Sequence, residues 1–487
     1  MIYGIDFGTT NSLVAILNDK NRPEIIINER GKRLTPSVVY LKNEKEVLVG
    51  EMAKSYSYVK RENVIKRVKR DMGSLKKYRI FNKEFTPEEI GSFIFFKLKK
   101  YAEETYGKEL KKAVVSVPAY FDDNQRQSVI KSANLAGIEV LKLINEPTAA
   151  ALAYGVNLNE EKQILVLDLG GGTFDITLMN INNGIFEVIN TGGSTHIGGA
   201  DFDEIIAKWI LEKVYEEHNI DLSTDTIALQ QIYNNAEKAK MDLSSVDETN
   251  IIIPYISIKN GQPLHINLNF SNKIFRKISK NLIEEIKRLI LETIKDFQIE
   301  NIDEILLVGG ASRMKIFKEI VLELFPYNEI KYSLNPDEIV VQGAALYAGI
   351  IEKTIQNIEL KDILPHSLGI LDDDGNFITI LKKGIHYPCE SMEFFTNTED
   401  NQDTVIINVL QKVEDKLVSL GLFHFKSKRK WQKGEANLSV SFKLNKNGVL
   451  EVTAEDLDTG DTNELIITDT VYENKKDTNF INDYKII

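Results

Sequence analysis

Apolar positions change their spacing once along the chain. Before about residue 357, continuous apolar runs such as ILVLDL at 164–169 and EILLVGG at 304–310 alternate with helical patterns such as EIIAKWILEKVYEE at 204–217. Unbroken apolar runs predict strands buried on both faces, and their alternation with amphipathic helices predicts an α/β domain. After that point the helical period nearly vanishes. The segments FITIL (377–381), TVIINVLQ (404–411), LSVSFKL (438–444), VLEVTAED (449–456) and ELIIT (464–468) alternate instead, which predicts a compact all-β sandwich. In TVIINVLQ, Val405, Ile407 and Val409 fall on one face and Ile406, Asn408 and Leu410 on the other. Both faces are apolar, so one of them is expected to serve something other than core. The polar stretch YENKKDTNFINDYKII reads as a tail or one marginal helix. The divisions expected are an α/β domain over 1–355, a linker over 356–365, a sandwich over 366–470 and a short tail over 471–487.

Within the α/β part the chain repeats itself: GIDFGTTNSLVAI near its start and VLDLGGGTFDITL at 166–178 have the same shape. A triple glycine alone is more often a tight turn than a binding site. Two copies change the reading. Each is an apolar strand ending in aspartate, a glycine-rich turn with threonine, and a second strand, so each predicts a hairpin with backbone N–H groups exposed at the bend. Two such hairpins facing each other would clamp a polyphosphate, and Asp6 and Asp168 beside it imply Mg²⁺ held through water. Neither copy is a Walker loop or a dinucleotide fingerprint.

Composition narrows the class without naming a chemistry. At 487 residues the chain should contain more than one domain. A formal charge of −12 argues against a nucleic-acid or anionic-membrane binder. The single cysteine, Cys389, excludes an intramolecular disulfide and a cysteine-based zinc site, which fits a reducing compartment. Strand-like IYGIDFG directly after Met1 and the absence of an apolar run near 18 residues lead to the expectation of a cytoplasmic protein.

The motifs GIDFGTTNS, VPAYFDDNQRQ, LINEPTAAALAYG, DLGGGTFD, HIGGADFD, AEKAKMDLSS, LLVGGASRM, NPDE, SLG and EDNQ run in order over residues 1 to about 470. Through them the chain resembles the seventy-kilodalton heat-shock chaperones of the DnaK type. The short stretch between Gly73 and Thr86 resembles specialised bacterial members of the HscC type. The resemblance implies an α/β, actin-like, two-lobed ATPase followed by an all-β sandwich that grips hydrophobic segments of unfolded clients. ATP or ADP, Mg²⁺ and K⁺ are the implied cofactors, and a J-domain co-chaperone and a nucleotide-exchange factor the implied partners, in a stress-response setting without nucleic acid or membrane.

Residue by residue, the resemblance places Gly8, Thr9, Thr10 and Asn11 around one phosphate turn and Gly170, Gly171, Gly172 and Thr173 around the other, with Gly199 nearby. Asp6, Asp168 and Asp175 would organise the metal and its waters, Glu146 would orient the attacking water, and Lys69 would lie near the γ-phosphate. Adenosine would lie against Glu237, Lys240 and Ser244 on one helix and Gly309, Gly310 and Arg313 on a loop, with Asp337 close by. Pro118, Arg126, Leu360 and Asp362 would relay client binding, and Ile370, Phe395, Thr398, Val405 and Ile407 would line the client groove. Blander readings stand beside these. Glu146 precedes Pro147 and suits a helix cap, Lys69 sits in the basic run KRVKRDMG, Thr173 suits its own turn, and the groove residues suit plain sandwich core.

Two departures from the family pattern bear on function. Ala200 stands where an acidic residue is common, and fewer than twenty residues follow Asp469, too few for the family's helical lid, so fast peptide exchange is expected. The alternatives are a regulatory or assembly protein that binds nucleotide without a chaperone cycle, and an actin-like small-molecule kinase, which would not need the sandwich.

Overall fold

In a computed structural model, residues 1–57, 61–155, 161–259, 261–332, 335–372, 374–413, 416–446, 448–466 and 480–487 are described. The α/β part holds two sheets of the same design. In the first, the order is Glu139–Asn145, Lys112–Val117, Tyr3–Asp6, Asn11–Leu17 and Pro23–Ile25, with Thr35–Pro36 also paired to Asn11–Leu17. In the second it is Glu329–Tyr332, Glu304–Val308, Lys162–Leu169, Phe174–Asn182, Ile185–Ser194 and Glu359–Lys361. Each sheet centres on a hairpin whose first strand also pairs in parallel with a third strand, so the repeated sequence folds as a repeated structure. The central strands are buried along their apolar runs, Ile164–Leu169 and Glu304–Val308.

The helices Glu146–Gly155 and Ile339–Ile351 pack against each other between the sheets. Their sequences, EPTAAALAYG and IVVQGAALYAGII, are rich in alanine and glycine, and a Cβ at Gly343 would lie 1.8 Å from the Ala149 carbonyl oxygen. Only glycine permits that approach.

The sandwich has one sheet of Phe377–Leu381, Ser367–Leu371, Gln402–Val413 and Lys416–Trp431, and another of Cys389–Phe395, Leu438–Leu444, Leu450–Asp456 and Asp461–Ile466. Leu368, Val409, Phe425, Trp431, Leu438, Phe442 and Val452 fill the space between them. Cys389 packs at the edge of this core. The long strand Lys416–Trp431 escaped the sequence reading because Leu417 and Leu422 face outward while Gly421 and Ser427 take buried positions, which breaks the apolar–polar alternation. The run ELIIT extends past Ile466, outside the described residues.

The segment around residue 360 lies on the second sheet. Glu359–Lys361 pairs in parallel with Ile185–Glu187, while Ile358 and Leu360 pack onto the apolar cluster beneath. The strand addition is possible because Ile185–Ser194 would otherwise end the sheet with free backbone groups.

Residues 480–487 overturn the expectation of a polar tail or marginal helix; residues 471–479 lie outside the described ones. Phe480–Asp483 form a 3₁₀ turn, and Lys485–Ile486 pair in parallel with Glu46–Val49 of the first lobe. Ile481 and Ile486 are buried in that lobe's core. Tertiary contacts set the structure of this segment, because a two-residue strand gains its hydrogen bonds from an existing sheet edge.

Candidate active site

The two hairpin turns face each other across a cleft of about 1090 Å³ between the lobes. Gly8, Thr9, Thr10 and Asn11 line one side and Gly170, Gly171 and Thr173 the other. The turns touch: a Cβ at Gly171 would lie 2.0 Å from Thr10 Oγ1. Gly172 is not on the cleft wall. Its carbonyl accepts hydrogen bonds from Arg70 Nε (3.2 Å) and Nη2 (3.0 Å), and Arg70 also pairs with Asp201 at 2.6 Å. Gly199 and Ala200 begin the helix Gly199–His218, and their N–H groups donate to the carbonyls of Gly170 and Gly171 at 2.9 Å. Helix and turn are thereby locked together.

Asp6 ends the strand Tyr3–Asp6 and accepts a hydrogen bond from Ser116 Oγ at 2.7 Å. Asp168 and Asp175 are register partners at the mouth of the second hairpin, and the Tyr120 N–H donates to Asp175 Oδ1 at 3.1 Å. Asp175 lies behind the cleft wall rather than on it. Lys69, on the short turn Val68–Asp71, is buried and ion-paired to Glu146 Oε1. Glu146 opens the helix Glu146–Gly155 and lines the cleft, so it sits at a helix terminus and also holds Lys69 near the carboxylates. Lys66 lines the cleft too, but Lys69 makes the buried pair.

These groups form an acid-rich centre. Burial, and next the charge of Glu146, push the carboxyls of Asp6 and Asp175 up to about 7 and that of Asp168 well above the usual range, with Lys69 opposing the shift. Asp175 Oδ2 is buried with no hydrogen-bond partner. Three buried aspartates beside Lys69 constitute a site whose anionic form is favoured by the arrival of a further cation. Among the described residues no three metal-ligating side chains gather closely enough to bind an ion directly. Asp6 and Asp168, carboxylates on the cleft wall beside the two glycine turns, are hard oxygen donors that fit Mg²⁺.

The far end of the cleft is lined by Glu237, Lys240, Ser244, Gly309, Gly310, Arg313 and Asp337. Glu237 and Lys240 lie on the helix Thr226–Asp242, whereas Ser244 follows its end rather than sharing it. Arg313 Nη2 donates to Asp337 Oδ2 at 2.8 Å and Asn335 Oδ1 at 3.0 Å. Lys240 pairs with Asp203 at 2.7 Å and donates to the Gly199 carbonyl at 2.9 Å. Sequence reading passed over Asp203, Arg70 and Asp201. Their signals were present, in the second acid of GGADFD and in the arginine after Lys69, but only the three-dimensional pairing gives them a task.

A continuous set of hydrogen bonds leads from this cleft to the sandwich. Tyr120, bonded to Asp175, accepts from His366 Nε2 through its carbonyl at 3.1 Å; burial holds His366 down to about 4, so it donates as the neutral ring. Arg126 donates to the carbonyls of Ala119 and Phe121 and, at 2.8 Å, to Asn145 Oδ1, fixing the turn that follows Pro118. Asn145 and Thr148 donate to Asp362 at 3.1 and 2.9 Å. The Asp123 N–H donates to Gln411 of the sandwich at 3.1 Å. In the sandwich itself, Ile370 and Ile407 are buried in the core, Phe395 and Val405 pack at its margin, and Thr398 is exposed.

The Hsp70 protein family profile matches residues 2–80 and 74–484. The chaperone protein DnaK of Thermotoga neapolitana is 40% identical over 478 residues, covering 96% of this chain and 80% of that protein. DnaK of Ureaplasma urealyticum is 40% identical over 479 residues, 96% of this chain and 79% of its own length. DnaK of Thermosipho melanesiensis is 39% identical over 490 residues, 99% of this chain and 82% of its own. No helix among the described residues is long and apolar enough to cross a membrane. Identity at this level over nearly the whole chain, on a duplicated two-lobed fold carrying a sandwich, means that the chain belongs to the Hsp70 family.

Proposed function

We propose that this chain is an ATP-driven chaperone in which the cleft hydrolyses ATP and the sandwich binds extended hydrophobic segments of unfolded proteins. The observation that carries the reading is the pair of glycine turns closing on the buried Lys69–Glu146 pair and its neighbouring aspartates. Phosphoryl transfer asks a protein for positioning and charge neutralisation more than for covalent chemistry. Backbone N–H groups of the two turns orient the phosphates, and Thr173 Oγ1 steadies their terminal end. Lys69 holds Glu146 Oε1, leaving Oε2 to accept a hydrogen from the attacking water. Mg²⁺ bound with the nucleotide supplies charge neutralisation for the phosphates, and K⁺ is a second cation suited to the same excess of carboxylates. Glu237, Lys240, Ser244, Gly309, Gly310, Arg313 and Asp337 receive the adenosine end.

In this reading residues 1–355 are the ATPase domain, 356–365 the linker and 366–470 the client-binding domain. Leu360 and Asp362 hold the linker on the second lobe, and Pro118 and Arg126 relay its state to the cleft, supported by the bonds from Asp362 to Asn145 and from Arg126 to Asn145. Ile370, Phe395, Thr398, Val405 and Ile407 mark the client end of the sandwich. A J-domain co-chaperone and a nucleotide-exchange factor complete the cycle, in the cytoplasm. The likeness to HscC-type members belongs to this reading as well.

ATP hydrolysis with and without a hydrophobic peptide tests it. Stimulation by peptide is the expected result. Hydrolysis indifferent to peptide would point instead to a nucleotide-binding assembly protein, and transfer of phosphate to a sugar to a kinase.

A further inference from the structure

Residues 480–487 attach the far end of the sandwich to the opposite lobe from the one that holds the linker. Tyr484 meets the Phe93 ring edge-on with centroids 5.2 Å apart, and Phe480 lies 5.6 Å from the same ring. Ile481 and Ile486 are 5% and 7% exposed. The Lys485 N–H donates to the Lys45 carbonyl at 2.7 Å, the Ile487 N–H to Val47 at 2.9 Å, and the Val49 N–H to Ile487 at 3.3 Å. The anchor is thus both side chain and backbone, unlike a surface contact.

The sheet it joins runs in the order Lys485–Ile486, Glu46–Val49, Val38–Leu41 and Val64–Lys66, and the last of these leads directly into the turn that carries Lys69. At the other end, the sandwich begins from the strand Glu359–Lys361 on the second lobe. The sandwich is therefore fastened to both lobes. The chain from Ile466 to Phe480 contains fourteen peptide units, which reach at most roughly 50 Å when fully extended. Covalent continuity within that reach makes rebinding of the strand an intramolecular event.

We propose that residues 480–487 are a strap, a strand held in cis by the edge Glu46–Val49, and that the sandwich separates from the ATPase domain only after this strand lets go. The strap makes lasting release of the linker hard, because a linker strand that leaves its edge while the strap holds stays within reach of that edge and re-forms. It rests on the reading that the sandwich undocks during the ATPase cycle. The surface around Phe85 and Phe93 is in this view a receptor for the aromatic and aliphatic side chains of FINDYKII, selected by Tyr484 and Ile486.

Amide hydrogen exchange of the full chain with ADP and a hydrophobic peptide tests this, comparing the natural sequence with Tyr484→Ala/Ile486→Ala and with a chain lacking residues 480–487. The expected result is that linker-strand amides (359–361) exchange at least tenfold faster in both variants, with ADP affinity retained as a check on folding. Equal linker exchange in all three proteins overturns the proposal. If the natural chain releases its linker on ATP hydrolysis while the amides of Lys485 and Ile487 stay protected, the strap fails and the cycling reading stands. If the linker stays protected with either nucleotide in every protein, both fail together. A synthetic peptide of residues 480–487, added to the shortened chain, should protect Val49 without slowing linker exchange. Slowing of the linker by the free peptide would show that the segment only stabilises the lobe, and would also overturn the strap.

Discussion

At the scale of single residues, Lys69 and Glu146 depend on each other. Removing one partner of a buried ion pair leaves an uncompensated charge, at a cost of about 3–5 kcal/mol. Lys69→Ala is expected to slow single-turnover hydrolysis by roughly a hundredfold, a loss typical of a missing electrostatic group, while ADP still binds. Thr173→Ala is expected to abolish hydrolysis with nucleotide binding intact; unchanged turnover would remove Thr173 from the mechanism. The aspartates give a pH signature. Carboxyls raised to about 7 must lose protons to face a cation, so apparent Mg²⁺ affinity in the presence of ADP should fall as pH drops through about 7. The stability sign is the reverse in nucleotide-free protein. A raised carboxyl favours the folded state fully below its unfolded value near 4 and loses that contribution as pH rises through about 7. Melting temperature without ligand should therefore decline across this window relative to Asp175→Asn, whose side chain does not titrate. Asp6 and Asp168 were legible in the sequence because each ends an apolar strand before a glycine turn. Asp203 and Arg70 were not, since their partners Lys240 and Asp201 lie far off in sequence and nothing in the local pattern joins them.

At the scale of elements, the repeated hairpins were readable because strand, aspartate and glycine recur in the same order, and the fold repeats accordingly. Gly171 shows the limit of that reading. Its need for glycine comes from Thr10 on the other hairpin, a contact no local rule contains. Gly171→Ala is expected to push the turns apart and raise the ADP dissociation constant, measured by calorimetry, with melting temperature of the ligand-free protein little changed. The linker strand is the other element whose role is sharply testable. Leu360 packs onto the second lobe while its backbone extends the sheet. Leu360→Asp would place a charge against that apolar surface, and peptide stimulation of ATP hydrolysis should disappear while basal hydrolysis persists. Residues 480–487 misled the sequence reading for a physical reason. A strand completed by another segment's edge carries half of its hydrogen-bonding information elsewhere, and the apolar positions of FINDYKII, at 480, 481, 484, 486 and 487, keep neither a helical nor a strand period.

At the scale of the whole molecule, the docked arrangement joins three bodies through polar connections that include Asp362 to Asn145 and Thr148, His366 to Tyr120, and Asp123 to Gln411. None was predictable from composition, because each joins residues more than 200 positions apart. The two lobes themselves meet at the helices Glu146–Gly155 and Ile339–Ile351, where Gly343 lies hard against Ala149. A contact that tight opposes sliding and leaves no room for a side chain at residue 343. The helix pair is then expected to act as a fulcrum with the lobes as its arms: a small rotation at this point would be magnified at the rim, where the far end of the cleft opens, so bulk added at residue 343 should jam nucleotide entry and exit without touching a single atom of the nucleotide.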